Sequence, residues 1–174
     1  MDEIIDVLDE DGNLTNKTIS KDKAHKNGTW HRSVHILIIN NDKTKTIFQK
    51  RCPNKKLYPN TWDIAVGGHI STKEEPLNAA LREMQEELGL YYKDFDLKEL
   101  ELVKETLQYD DIYSNEFIYT YLIYDDVDLN DIILQKEEVS EVKWFTKEEM
   151  NHLIKNEKVI PHTRAYEILN ELLK

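Results

Sequence analysis

The hydrophobic positions of the chain fall into short runs with two periodicities, one typical of strands and one of helices. Runs of β-branched and aromatic residues bounded by turn residues predict strands at residues 3–8, 31–40, 45–51, 62–66, 97–106, 116–125 and 138–145. The run at 116–125 is almost continuously apolar, which predicts a central strand of a sheet. The polar stretch NDKT between 31–40 and 45–51 predicts a hairpin.

Helical periodicity marks three further segments. Between residues 76 and 88, apolar residues recur every three or four positions and form one face. Thr146 and Glu149 have the spacing of a capping box at the start of a second helix. Pro161 lies near the first turn of a third helix, which also has an apolar face. Strands scattered among a few helices predict a mixed-sheet domain of the α/β (α+β) class, with helices on the faces of the sheet.

Length and composition limit the class of protein. At 174 residues the chain fits one domain, residues 1–174, with a core of its own. The single cysteine, Cys52, excludes an internal disulfide and suits a reducing compartment. The acidic start MDEIIDVLDEDGN does not resemble a signal peptide, and no run reaches the ~20 apolar residues of a membrane span. These features predict a cytoplasmic protein.

The net charge of −11 restricts the partners. Nucleic acids and anionic membranes select clustered Lys and Arg, so neither is expected to bind. An anionic substrate would need a local basic patch or bridging metal cations. The segment KRCPNKK at 50–56 supplies such a patch, although a solvated surface loop has the same composition.

The predicted helix at 76–88 carries a second, acidic face. Glu83, Glu86 and Glu87 are spaced so that their carboxylates are neighbours, which is mildly destabilising without a cation. Taken alone, the three glutamates also fit a solvated acidic surface. However, a glycine pair exposes backbone carbonyl oxygens at the helix entrance, and Arg82 can brace a carboxylate. Such an oxygen-only ligand set suits Mg²⁺ or Mn²⁺.

These positions form a recognisable motif. Gly68, Glu74 and the segment REMQEELGL at 82–90 resemble the Nudix box of the Nudix hydrolase superfamily, which here spans residues 68–90. A chance match at the specified letters has a probability on the order of 10⁻⁸ per start position. The resemblance implies the Nudix fold, a mixed β-sheet packed between α-helices. It also implies Mg²⁺-dependent hydrolysis of a phosphoanhydride bond in a nucleoside diphosphate linked to another moiety.

The resemblance also implies residue roles. It implies that the metal is bound by the side chains of Glu83, Glu86 and Glu87 and by the backbone carbonyl of Gly68. Catalytic roles fall to Glu83, Glu86 and Arg82, with Glu74 in support. The glutamate that acts as the base varies across the superfamily, so its identity stays open here.

Similarity to one branch extends beyond the box. The segments KDKAH at 21–25, WHRSVHILIIN at 30–40, KRCPNKKLYPNTWDIAVGGH at 50–69 and SNEF at 114–117 resemble isopentenyl-diphosphate isomerase. In that branch, three histidines and a glutamate bind a metal ion; the matching residues are His25, His31, His69 and Glu116. Basic residues hold the diphosphate, and here these are Lys21, Arg51 and Lys55. A lone histidine is more often structural, so the histidines form a candidate second metal site.

Three departures favour a hydrolase over an isomerase. Gly67 stands where the isomerases carry a catalytic cysteine. Ser114 stands where the isomerases usually have a glutamate. The Nudix box of the isomerases is degenerate, whereas the box of this chain is intact. Two alternatives remain: an isomerase acting on isopentenyl diphosphate, and a non-catalytic nucleotide-binding module derived from the fold. The expected partner is a small-molecule diphosphate, and a homodimer is the default assembly.

Overall fold

The fold is built on a seven-stranded mixed sheet, and the computed structural model describes residues 2–174. The strands are β1 (Ile4–Leu8), β2 (Leu14–Ser20), β3 (His31–Ile39), β4 (Lys45–Arg51), β5 (Trp62–Ile64), β6 (Val66–His69), β7 (Lys98–Tyr109), β8 (Ile112–Tyr124) and β9 (Val139–Thr146). The order in the sheet is β5-β4-β3-β8-β7, with β6 paired to β3 and β9 paired to β4. β3 and β8 are parallel and the other pairs are antiparallel, which confirms the predicted mixed sheet. β1 and β2 form a separate ribbon.

Helices cover both faces of this sheet. They are α1 (Lys21–Asn27), α2 (Pro76–Leu88), α3 (Lys147–Lys155) and α4 (Thr163–Leu172). Successive residues of β3 point to opposite faces, so Val34 and Ile36 pack in the cluster that contains α2 residues, whereas Leu37 packs in the cluster that contains α3 and α4 residues. The predicted arrangement of a sheet between helices is therefore confirmed. No helix within residues 2–174 has the length and apolar character needed to cross a bilayer.

The predicted hairpin of residues 31–40 and 45–51 is right only at its closed end, where Ile39 pairs with Thr46. Further along, β3 pairs with β6 and β8, while β4 pairs with β5 and β9. β3 is buried along nearly its whole length, as is usual for a strand with a parallel partner in the middle of a sheet. β8 lies between β3 and β7, which matches the central position predicted for 116–125.

The predicted strand at 62–66 is two strands separated by Ala65. β5 pairs with β4, whereas β6 pairs with β3 and continues to His69. Gly67 consequently lies opposite His35, and Gly68 lies opposite Val34. The glycine pair is therefore part of the sheet, and Gly68 lies against Glu83 in the middle of α2, not at the helix entrance as predicted.

The hydrophobic pattern predicts neither β2 nor α1. β2 has no buried residue, and α1 buries only Ala24, so neither has an apolar periodicity. The capping box at the start of α3 is confirmed, because the Thr146 side chain and the Glu149 side chain each accept from the other residue's backbone N–H. The last helix begins at Thr163, so Pro161 precedes it by two residues.

Candidate active site

A cleft of about 660 Å³ brings together most of the residues singled out from the sequence. Its walls include Lys21, His25, Arg51, Lys55, Gly68, His69, Arg82, Glu83, Glu86, Glu87 and Glu116. His31 and Glu74 lie behind the walls. His31 is fully buried beside Glu116, and Glu74 contacts the cleft through Arg82.

The glutamates of α2 differ in their environments. Glu83 and Glu87 are buried, whereas the Glu86 side chain is 49% exposed. Burial raises the pKa of Glu83 to about 7, although the Arg82 guanidinium opposes this shift. Burial and the nearby Glu83 raise the pKa of Glu87 well above its usual range, and Gln49 donates a hydrogen bond to Glu87 at 2.6 Å. A divalent cation among these carboxylates would favour their ionised forms, so the donor set fits a hard metal ion.

Gly68 allows α2 to approach β6 closely. A Cβ atom at this position would lie 2.5 Å from Glu83 Cγ and still closer to the Glu83 carboxyl group. At Gly67, an added Cβ would lie 3.5 Å from His35 Cδ2, which is an ordinary contact. Only the second glycine of the pair is therefore required by the packing of the glutamate cluster.

Arg82 joins the loop before α2 to the glutamate cluster. Its guanidinium donates to Glu74 Oε1 at 2.8 Å, to Glu83 Oε1 at 2.7 Å and to the His69 carbonyl oxygen at 3.0 Å. The hydrogen bond to Glu74 is the largest cause of a raised pKa for Arg82, so the group stays charged. Arg82 thus fixes the orientation of Glu83 on the cleft wall.

A second cluster consists of His25, His31, His69 and Glu116. Each side chain offers one ligand atom, and these atoms lie within 4.8 Å of one another. His31 Nδ1 lies 2.8 Å from the Thr29 carbonyl oxygen, which assigns the proton to Nδ1. His31 Nε2 is buried without a hydrogen bond, 3.3 Å from Glu116 Oε1; burial lowers the pKa of His31, but the Glu116 carboxylate outweighs it and raises that pKa. A buried ring nitrogen beside a carboxylate and near two other histidines fits a metal ion, which would take the place of a proton.

Two serines orient the glutamate of this cluster. Ser33 and Ser114 donate hydrogen bonds to the Glu116 carboxylate, each at 2.6 Å. Burial lowers the pKa of His25 to about 4 and that of His69 to about 3, although Glu116 opposes both shifts. Both imidazoles are therefore neutral at pH 7, which is the state that ligates metal ions.

The basic side chains of the cleft already have acidic partners. Lys21 Nζ lies 3.5 Å from Glu3 Oε2, and Lys55 forms an ion pair with Glu138. Arg51 donates to the Leu57 carbonyl oxygen at 2.9 Å, and its Nη1 lies 3.9 Å from Asp63 Oδ2. These cations line the cleft, but their charges are largely balanced by the protein.

A group of four residues was not identified from the sequence; three of them, His35, Asp63 and His162, line the cleft, and the fourth is Glu105. His162 Nδ1 lies 2.6 Å from Glu105 Oε1, and its Nε2 lies 3.4 Å from Asp63 Oδ1. The ring centroids of His35 and His162 are 4.4 Å apart. The period of two along β3 could have revealed His35, because it places His31, Ser33 and His35 on one face. The chain around His162 carries no comparable signal.

Charge is unevenly distributed between these two histidines. Burial alone would lower the pKa of His162, but the Asp63 and Glu105 carboxylates outweigh it and raise the pKa to about 9. Burial and the adjacent His162 lower the pKa of His35 to about 3. His162 is therefore an imidazolium at pH 7 and His35 is neutral.

This difference predicts a pH-dependent stability. The unfolded pKa of His162 is 6.5 and its folded pKa is about 9, so its contribution is complete below pH 6.5 and is lost as the pH rises to 9. The loss should be on the order of 3 kcal/mol of unfolding free energy. Urea unfolding at pH 6.5 and 9.5 measures it. His162→Gln should flatten the dependence, whereas His152→Gln, at an exposed site of α3, should not; equal slopes in both variants would contradict the assignment.

Comparison with known proteins identifies the family. A family model described as the NUDIX domain matches residues 29–165, which is most of the chain. The chain belongs to the Nudix hydrolase family. This result confirms the family recognised in the sequence, and it confirms the predicted enzyme class, hydrolysis of pyrophosphate bonds.

Relatives of this Nudix hydrolase differ in length. A Nudix hydrolase of Listeria monocytogenes is 34% identical over 167 residues, covering 96% of this chain and 91% of that protein. Nudix hydrolase 3 of Arabidopsis thaliana is 34% identical over 160 residues, covering 90% of this chain but only 21% of that protein. The isopentenyl-diphosphate Delta-isomerase 1 of Photorhabdus laumondii is 30% identical over 122 residues, 69% of this chain and 68% of that protein. This last match fits the predicted branch.

A solved structure supports the fold of this Nudix hydrolase. A crystal structure from Deinococcus radiodurans superposes with a TM-score of 0.75, covering 99% of this chain and all of that chain. The two sequences are 21% identical, so this likeness bears on the fold alone.

Proposed function

We propose that the protein is a Mg²⁺- or Mn²⁺-dependent hydrolase that cleaves a phosphoanhydride bond in a nucleoside diphosphate linked to another moiety. The observation that carries this proposal is the geometry of Glu83, Glu86 and Glu87, which stand on one wall of the cleft beside Gly68. Buried carboxylates with raised pKa values are costly for folding, and a bound cation would remove that cost. The intact cluster therefore supports a metal-dependent reaction.

Each residue has a role in the proposed reaction. The three glutamates and the carbonyl oxygen of Gly68 would hold the metal, which supplies charge stabilisation at the phosphoryl oxygens when bound. A water molecule attacks one phosphorus, the bond from that phosphorus to the bridging oxygen breaks, and the other phosphate departs with that oxygen. Glu83 or Glu86 accepts the proton of the water. Arg82 keeps Glu83 in place through the contacts described above.

The basic residues would bind the substrate phosphates. Lys21, Arg51 and Lys55 stand on the same cleft as the glutamates, so a diphosphate could contact the basic residues while the metal held by the glutamates would neutralise its charge. To do so it must compete with Glu3 and Glu138, the present partners of the two lysines. The proposed partner is accordingly a small molecule, and the homodimer and the cytoplasmic location stay predictions from the sequence.

The histidine cluster is proposed as a second metal site. Its support is the orphaned His31 Nε2 together with the neutral state of His25 and His69. The Mn²⁺ content of the protein, measured by electron paramagnetic resonance, should be two ions per chain. One ion should remain after His31→Gln, and an unchanged content would contradict the second site.

Two other functions are weaker candidates. Isomerisation of isopentenyl diphosphate is favoured by the match to an isomerase, but Gly67 supplies no thiol for the proton transfer. A non-catalytic nucleotide-binding module would have no need of metal glutamates, yet all three are present and two are buried.

The test is ³¹P NMR of the purified protein with Mg²⁺ and a panel of phosphoanhydrides. The panel holds nucleoside di- and triphosphates, nucleotide sugars, dinucleotide cofactors, coenzyme A and isopentenyl diphosphate. Metal-dependent cleavage is expected for at least one class and should name the substrate. Proton NMR of the isopentenyl sample reports double-bond migration, and migration without cleavage would replace the hydrolase with the isomerase.

A further inference from the structure

His35 occupies a central position at the cleft. It follows His31 and Ser33 on the same face of β3, and its own residue is only 5% exposed. It pairs across the sheet with Gly67, where the absence of a side chain leaves room beside the imidazole. His35 also lines the cleft, so its few exposed atoms face the space that a substrate would occupy.

The imidazole of His35 lacks a hydrogen-bond partner. At least one ring nitrogen has a hydrogen-bond partner in the protein in each of four other histidines in or behind the cleft, which are His25, His31, His69 and His162. Among residues 2–174, none hydrogen-bonds the ring of His35. The ring nitrogens of His35 keep some contact with the cleft, so they can form a hydrogen bond with a ligand there.

The surroundings of His35 determine what it can bind. His162 packs against its ring; Glu105 accepts a hydrogen bond from His162 Nδ1–H, and Asp63 Oδ1 lies 3.4 Å from His162 Nε2. Protonation of His35 beside this imidazolium is unfavourable. A neutral imidazole has one N–H donor. In a cleft that binds a diphosphate, the available acceptors for this donor are the phosphoryl oxygens of the substrate.

We propose that His35 is a further substrate-binding residue that donates a hydrogen bond to a phosphoryl oxygen of the bound diphosphate. The assignment rests on the proposed function, because it takes a diphosphate as the ligand of the cleft. His35 would thus add a contact from β3 to the phosphate contacts expected from the basic residues and from the metal held by the glutamates of α2.

The test uses methylenediphosphonate, a diphosphate analogue that cannot be hydrolysed, in the presence of Mg²⁺. Isothermal titration should give a dissociation constant about 10- to 100-fold higher for His35→Leu than for the unchanged protein. His152→Gln on α3 is the matched control, because it removes an exposed histidine outside the cleft; its binding should be unchanged. If His35→Leu does not fold, His35→Met, which also lacks a hydrogen-bond donor, takes its place.

Stability separates this role from a structural one. Leucine fills a similar volume and leaves no unpaired polar group, so His35→Leu should unfold at the same urea concentration as the unchanged protein or at a higher one. A purely structural histidine would instead lose stability and keep its affinity for the analogue. Full affinity in His35→Leu would overturn the role of His35 and leave the hydrolase proposal standing. Absence of binding to the unchanged protein would overturn the diphosphate site itself.

Discussion

Replacing Glu86 and Glu87 together with glutamine should remove Mn²⁺ binding at α2 and slow hydrolysis by about 10³-fold. Both side chains lie on the cleft, and glutamine keeps their shape but lacks the charge that a divalent ion requires. The histidine cluster should keep its own ion. Mn²⁺ titration followed by electron paramagnetic resonance and the ³¹P NMR assay measure the two effects.

In the absence of metal, the variant with both glutamines should be at least as stable to urea as the unchanged protein. Glu87 is buried close to Glu83, so its negative charge disfavours the folded state at pH 7 and its removal should raise the urea midpoint. Glu99→Gln combined with Glu148→Gln is the control, because it removes two charges at exposed positions on β7 and α3. Unchanged Mn²⁺ affinity in the cleft variant would refute the mechanism.

Replacing Gly68 with alanine should lower the rate of hydrolysis by about 10²-fold. The added Cβ atom overlaps the Glu83 side chain, which must then leave the position where Arg82 holds it. The obstructing atoms all belong to the Glu83 side chain and none to the backbone, so activity should fall more than stability. Steady-state kinetics and urea unfolding of the same sample distinguish the two.

Gly67 provides a control one residue away. Its alanine variant places a Cβ in ordinary contact with His35, so it should keep most of its activity. Both glycines belong to β6, and neither has a positive φ, so the two substitutions make similar demands on the backbone. Equal losses in the two variants would mean that the effect comes from the strand and not from displacement of Glu83.

Much of the fold was predictable because its elements bury apolar faces. Strand and helix periodicities located β3, β8 and α2, since their packing against the core leaves a repeating pattern in the sequence. The same signal fails for β2 and α1, which bury almost nothing. It also missed the break at Ala65, because a change of partner strand does not alter the apolar pattern.

The candidate site was predictable where spacing along one element determines proximity. The glutamates of α2 illustrate this, since a helix converts sequence intervals into neighbouring positions. The group of His35, Asp63, Glu105 and His162 illustrates the opposite case. These residues come from three strands and from the residue before α4, so only the tertiary fold brings them together.

The ion pairs of Lys21 and Lys55 bear on how the cleft selects its ligand. Because Glu3 and Glu138 already neutralise these lysines, an arriving diphosphate exchanges one counterion for another and gains little Coulomb energy from them. Long-range attraction is also weak, since the whole protein carries a charge of −11 and repels free polyanions. A diphosphate that arrives with its divalent ion already bound escapes much of that repulsion. The negative charge of the chain therefore favours the binding of metal-complexed phosphates over that of free phosphates.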